Sequence, residues 1–178
     1  MLDSWKRAVI IGMMNKAVFF DRDGTLNVDT HYLYRIEDFV WMDGAVEAIK
    51  YCNEQGYLVI VVTNQSGVAR GYYTEDDIRI LHEWMNGELK KAGAHIDAFY
   101  YCPHHEDGTV AEYAKPCGCR KPSPKLVDEA CLKYNIDKEQ SVFIGDADRD
   151  ILCARNAAIK GVRFLGGNLL TVVKEALE

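Results

Sequence analysis

The apolar positions of this chain fall into two alternating rhythms, short continuous runs and longer stretches at three- and four-residue spacing. Ala17-Val18-Phe19-Phe20 is a run of the first kind. It is apolar at every position, as expected for an inner parallel strand covered on both faces. Tyr57–Val62, Ile96–Tyr101, Ser141–Ile144 and Gly161–Leu165 read as further strands. Between them lie helical patterns. After Asp43-Gly44, the residues Ala45, Ala48, Ile49 and Cys52 share one face, and Gly56 closes the helix. Thr74 and Asp77 have the spacing of a capping box, with Asp in place of the usual Glu. The helix that follows turns Ile78, Leu81, Met85 and Leu89 inward. Ser123-Pro124 opens another, with Val127, Ala130, Cys131 and Tyr134 on its apolar face. Asp148–Ala158 and Thr171–Leu177 complete the set. This alternation predicts an α/β fold over residues 17–178, a three-layer domain built around a parallel sheet.

Three segments break the rhythm. Asn27–Val40 is rich in Tyr, His and charged residues without periodicity, and reads as a flap loop. Cys102–Arg120 is a long irregular excursion. Met1–Lys16 reads as a floppy leader ahead of the domain, with Met13 or Met14 as alternative starts. Its apolar part is too short, and its small-residue cleavage pattern too poor, for a signal peptide.

A chain of 178 residues suffices for one sizeable core. Its 48% hydrophobic and 27% charged content is that of an ordinary globular protein. A net charge of -6 argues against nucleic acid as the main partner. A small phosphorylated substrate stays compatible, because a few local cations suffice. No stretch approaches ~20 uninterrupted apolar residues, so no membrane partner is expected either. The chain reads as cytoplasmic.

The chemistry gathers at strand ends. Asp21 and Asp23 follow the first apolar run at i and i+2, positions that share a face in extended chain. Open α/β sheets bind ligands at that end. Two such carboxylates repel by several kcal/mol unless a cation or a shared proton intervenes, and Mg2+ is the hard cation that oxygen ligands suit. A surface turn would also use Asp and Gly, but it leaves the apolar lead-in unexplained. Thr63-Asn64 and Asp146, with Asp150 nearby, end two other strands, and Arg120-Lys121 precedes a helix.

The excursion has chemistry of its own. Cys102-Pro103-His104 and Cys117-Gly118-Cys119 offer three thiolates and an imidazole, a complete tetrahedral set for structural Zn2+ with no position open to water. A loop this long needs such a centre to order itself. His105 rivals His104, and spacing does not choose between them. Cys52, Cys131 and Cys153 lie in predicted helices and read as small core residues.

Asp21-Arg22-Asp23-Gly24-Thr25, Thr63-Asn64, Arg120-Lys121 and Asp146 with Asp150 resemble, in this order, the four motifs of the haloacid dehalogenase superfamily. The match runs from Val18 to Asp150 and implies a Rossmann-like sheet and an aspartate nucleophile. Asp21 would take the phosphoryl group, and Asp23 would serve as acid and then base. Mg2+ would sit on Asp21, Asp146 and the main-chain carbonyl of Asp23, with Asp150 assisting. Thr63 and Asn64 would bind phosphoryl oxygens, Lys121 would neutralise growing charge, and Arg120 would clamp phosphate.

The cysteine loop, together with Asn27-Val28-Asp29 and Thr63–Gly71, is similar more narrowly to the bacterial D-glycero-D-manno-heptose 1,7-bisphosphate 7-phosphatases. The histidinol-phosphatase branch shares that loop. The zinc ligands of the family match Cys102, His104, Cys117 and Cys119. Its substrate contacts carry over to Asp29, Thr30, His31, Tyr32, Thr63, Asn64, Gln65, Ser66, Arg120 and Lys121. The resemblance implies a nearly capless monomer that removes the 7-phosphate on the route to nucleotide-activated heptose for lipopolysaccharide or other surface glycans. Histidinol-phosphate hydrolysis is the enzymatic rival, since Asp29 and Glu37 offer the acidic partner an amine needs. A zinc-stapled binding module on a dead phosphatase is opposed by the intact Asp21, Asp23, Thr63, Lys121 and Asp146. There is one departure: Ala147 stands where some members carry a substrate-contacting lysine, and Arg149 would have to fold back to replace it.

Overall fold

The computed structural model describes residues 14–178. Five strands form one sheet: β1 (Ala17–Phe20), β2 (Leu58–Asn64), β3 (Ala98–Cys102), β4 (Val142–Gly145) and β5 (Lys160–Arg163). Every pairing is parallel, and the order across the sheet is β3-β2-β1-β4-β5. Five helices connect and cover them: α1 (Ala45–Glu54), α2 (Glu75–Lys91), α3 (Lys125–Tyr134), α4 (Asp148–Asn156) and α5 (Leu169–Leu177).

Period-two alternation along the inner strands divides the core into two layers. Val18, Phe20, Val59, Val61, Val142 and Ile144 pack against α1, α2 and α5. Ala17, Phe19, Ile60, Val62 and Phe143 face the other way, onto α3 and α4. Both faces are therefore dry, which is why these strands read as unbroken apolar runs. The chain winds from β1 outward to β2 and β3, then returns to β4 on the other side of β1. The carboxyl ends of β1 and β4 thus flank the point where winding reverses, the ordinary ligand crevice of such sheets.

Element positions follow the sequence pattern, with shifts that side chains explain. β2 runs on past Val62 through Thr63 and Asn64, which pair with Tyr101 and Cys102. β3 starts only at Ala98, because the Asn86 side chain takes both backbone bonds of Ile96. α5 begins at Leu169, where Asn168 caps the Thr171 N–H. Thr74 and Asp77 bond reciprocally at the start of α2 as the pattern requires. The leader expected over residues 1–16 lies largely outside the described residues. Asn15 and Lys16, however, are bonded into the domain through Asn135, Asp137 and Leu58. Among the described residues no helix is long and apolar enough to cross a membrane.

The flap is closed at its base by a backbone bond from Val28 to Val40, and it is anchored by buried Leu33 and Phe39. At its tip His31 and Tyr32 both adopt left-handed backbone, with φ of 60° and 54°. The N–H of His31 is held by the Asp29 carboxylate. Consecutive non-glycine residues in this region store strain, which the anchored flap holds.

Candidate active site

β1 delivers Asp21 and β4 delivers Asp146 to the crevice, and the first turn of α4 adds Asp150. Carboxylate oxygens of these three residues lie within 4.8 Å of one another. Lys121 reaches them from the segment before α3. Its Nζ lies 2.8 Å from Asp21 Oδ1 and 2.8 Å from Asp150 Oδ1, and it donates to the Val62 carbonyl at 2.7 Å. One ammonium thus forms ion pairs with two carboxylates, and its side chain is fully buried. Burial, opposed by Lys121 and reinforced by Asp150, raises the Asp21 carboxyl to about 6. Burial and then Asp150 likewise raise Asp146.

Three carboxylates thus cluster beside one ammonium that pairs with only two of them, Asp21 and Asp150. Asp146 Oδ1 is buried without any protein partner. An orphaned buried oxygen beside clustered carboxylates fits a hard divalent cation with oxygen ligands. Gly24 makes the close approach feasible. Its φ is 81°, and a Cβ on it would stand 2.4 Å from Asp146 Oδ2. Gly145 does the same for Asp150, whose Cβ would lie 2.4 Å from an added methyl.

Asp23 has a separate environment. Its carboxylate is not in the acidic cluster; only its main-chain carbonyl was expected to contribute there. The fully buried Arg22 donates to both Asp23 oxygens, at 3.0 Å each from Nη2. Asn27 and Gln65 donate to them as well. The repulsion expected between Asp21 and Asp23 is thus offset by two different cations, Lys121 and Arg22. This is the arrangement that lets neighbouring carboxylates take different roles.

Around Asp23 opens a cavity of about 240 Å³ lined by Asp29, His31, Tyr32, Asn64, Gln65, Ser66, Tyr73, Arg120 and Arg149. Thr30 does not line it. Thr63 and Lys121 lie buried beneath, Thr63 accepting from Gln65 at 2.8 Å. The Asn64 side chain bonds both ways with the Lys121 backbone, at 3.0 and 3.2 Å, so it braces Lys121 and keeps one amide hydrogen for the cavity. Glu37 pairs with Arg35 and is absent from the wall, leaving Asp29 as the acid there from the flap. Arg149 needs no folding back: the first turn of α4 already presents it to the cavity.

Several of these groups escaped the sequence reading. Arg22 stood in the quoted motif without a role, although a cation between two carboxylates is a visible signal. Asn27 also stood in a quoted motif without a role, four residues from the Asp23 it bonds, and Tyr73 carries no signal, because only the folded loop brings it to Gln65.

The excursion folds over this end of the sheet. Cys102 Sγ lies 3.5 Å from Cys117 Sγ and 3.1 Å from Cys119 Sγ. His104 Nδ1 lies 3.8 and 3.5 Å from the sulfurs of Cys102 and Cys119. Zn–S bonds of about 2.3 Å in a tetrahedron give edges of roughly 3.8 Å; the 3.5 and 3.8 Å separations approach this, and the Cys102–Cys119 edge is shorter. His105 stands apart, its Nδ1 taking the Asp107 N–H and its Nε2 facing Arg70. Geometry therefore separates the two histidines where spacing did not.

Residues 16–160 match the family described as polynucleotide kinase 3 phosphatase. The chain belongs to this family, within the haloacid dehalogenase-type phosphatases. It is a phosphoric monoester hydrolase of that type. A curated relative from Pasteurella multocida, D-glycero-beta-D-manno-heptose-1,7-bisphosphate 7-phosphatase, is 46% identical over 147 residues, 83% of this chain and 79% of the relative. One from Photorhabdus laumondii, named for the alpha anomer, is 42% identical over 81% of this chain and 79% of its own length. The crystal structure of D,D-heptose 1,7-bisphosphate phosphatase from B. bronchiseptica, complexed with magnesium and phosphate, superimposes with a TM-score of 0.76. It is 28% identical, over 90% of this chain and 86% of that one. The fold expected from the sequence, a parallel three-layer α/β domain of haloacid dehalogenase type, is the one observed.

Proposed function

We propose that this phosphatase is Mg2+-dependent and removes the 7-phosphate of a D-glycero-D-manno-heptose 1,7-bisphosphate through an aspartyl-phosphate on Asp21. The observation that carries the reading is the convergence of Asp21, Asp146 and Asp150 around one oxygen-lined point, with Lys121 bridging two of them. The names of the heptose bisphosphate relatives support the substrate. So does a cavity carrying Arg120 and Arg149, enough positive charge for a second phosphate.

In the first step an Asp21 oxygen attacks phosphorus, the bond to the sugar oxygen breaks, and Asp23 hands that oxygen its proton. In the second, water attacks the aspartyl-phosphate, gives its proton to Asp23, and frees inorganic phosphate and Asp21. Lys121 holds the Asp21 carboxylate in line and meets charge growing on the phosphoryl oxygens. Mg2+, held by Asp21, Asp146 and the Asp23 carbonyl with Asp150 beside them, would screen the repulsion between phosphate and nucleophile. Zn2+ on Cys102, His104, Cys117 and Cys119 would hold the loop that carries Arg120 and Lys121. Six thiols, none in a disulfide, suit the reducing cytoplasm.

The histidinol-phosphate alternative keeps only Asp29 of its two acids at the cavity. The test compares phosphate release from the two heptose bisphosphate anomers and from histidinol phosphate, by wild type and by Asp21→Asn. The proposal expects the bisphosphate to lead and Asp21→Asn to be inactive yet folded. Turnover by Asp21→Asn, or preference for histidinol phosphate, overturns it.

A further inference from the structure

Among the described residues, Arg22 is the most buried cation that no catalytic step uses directly. Its guanidinium is a hub. Nη2 serves Asp23, the Leu33 carbonyl of the flap and Gln65 Oε1, while Nε serves Asp23 again. That leaves Nη1, which points away from the cavity toward α2 and meets His82 Nε2 at 3.3 Å. A guanidinium has no acceptor, so Nε2 must accept, which puts the single ring hydrogen of a neutral His82 on Nδ1. The imidazole is only 5% exposed. Its plane is fixed by stacking on Phe99 of β3, with centroids 4.2 Å apart and planes 14° apart. Burial and the facing Arg22 charge both depress its proton affinity well below the ordinary histidine range, which keeps Nε2 available as an acceptor. Structural packing alone would be served by any apolar ring at this place on α2. A ring nitrogen aimed at the one guanidinium nitrogen without another partner needs a further reason.

We propose that His82 is a positioning residue: by accepting from Arg22 Nη1 it fixes the guanidinium that orients the Asp23 carboxylate toward the leaving oxygen. This rests on Asp23 being the acid and base of the reaction proposed above. A guanidinium anchored at only one edge swings as a rigid plane about its Cδ–Nε bond and carries the Asp23 oxygens with it. His82 pins the opposite edge. Small displacements of a proton donor cost rate chiefly where the departing oxygen needs its proton.

The experiment uses the full chain with Mg2+ and follows single-turnover release of the leaving group, so that only the first step is read. The later use of Asp23 as base, common to both substrates, then does not enter. The substrates are heptose 1,7-bisphosphate, whose sugar alkoxide leaves poorly, and p-nitrophenyl phosphate, whose phenolate leaves without a proton. His82→Phe keeps the stack on Phe99 and deletes the acceptor. His82→Gln keeps an acceptor oxygen near the Nε2 position. His82→Phe is expected to lower the single-turnover rate on the sugar substrate by about tenfold or more, part of the ~10²–10⁴ that a positioned acid supplies. KM and the rate on p-nitrophenyl phosphate should hardly move, and His82→Gln should recover most of the loss. Equal losses on both substrates, no loss, or no recovery by His82→Gln in a folded protein overturns the proposal. Asp23→Asn is the control. If it loses both substrates alike, the acid assignment itself fails; if it separates them and His82→Phe does not, only the role of His82 falls.

Discussion

The Lys121 ammonium lies 2.8 Å from Asp21 Oδ1 and is as close to Asp150, so one buried cation serves two carboxylates that different elements deliver. Lys121→Met keeps the stem's volume and removes the charge. It leaves the carboxylates of the crevice unpaired, a change that typically costs about 3–5 kcal/mol. The expected result is a kcat lower by ~10²–10³, the usual loss when a transition-state donor is removed. Melting temperature should fall in EDTA and recover partly with Mg2+, as differential scanning calorimetry with and without the metal would show.

Gly24→Ala tests the approach of the β1 loop to β4. The substitution demands φ of 81° from an L side chain and sets its methyl 2.4 Å from Asp146 Oδ2. Since Asp146 must yield, half-saturating Mg2+ should rise by about 10–100-fold, as for other disturbed metal supports. A Mg2+ titration of activity measures it; an unchanged titration would detach Asp146 from the metal.

Cys119→Ser breaks the sulfur cluster at its shortest edge, the 3.1 Å contact with Cys102. Elemental analysis should find one Zn2+ per wild-type chain and none in the variant. Each kcal/mol lost should lower melting by about 2–4 °C. Arg120 and Lys121 follow Cys119 directly, so activity should fall along with loop order.

His82 makes stability pH-dependent with a definite sign. Its folded-state proton affinity lies well below the ordinary value of 6.5. Between the two values the unfolded chain binds the proton and the folded chain does not. Stability from this group is therefore complete above about pH 6.5 and falls as pH drops below it, by up to about 1.4 kcal/mol per unit. Urea unfolding from pH 7.5 to 5 should show a shallower decline for His82→Gln than for wild type. Parallel curves would mean that the imidazole is charged in the folded state.

The chain's own order of residues determined the architecture. Runs such as Ala17–Phe20 and the helical stripes of Ala45–Cys52 and Ile78–Leu89 need no distant partner to be read, because periodicity records which face is dry. The strand-end carboxylates, Lys121 and the pairs Cys102-x-His104 and Cys117-x-Cys119 were legible because each sits in a short motif of its own, at a strand end or in the loop between elements. What the sequence left open was decided by contacts between elements. The choice of His104 over His105, the separation of Asp23 from Asp21 by Arg22, the brace of Asn64 on Lys121 and the arrival of Arg149 at the cavity are all of this kind. Orientation of a polar side chain depends on which donor or acceptor packing places within about 3 Å of it, and no spacing rule carries that information.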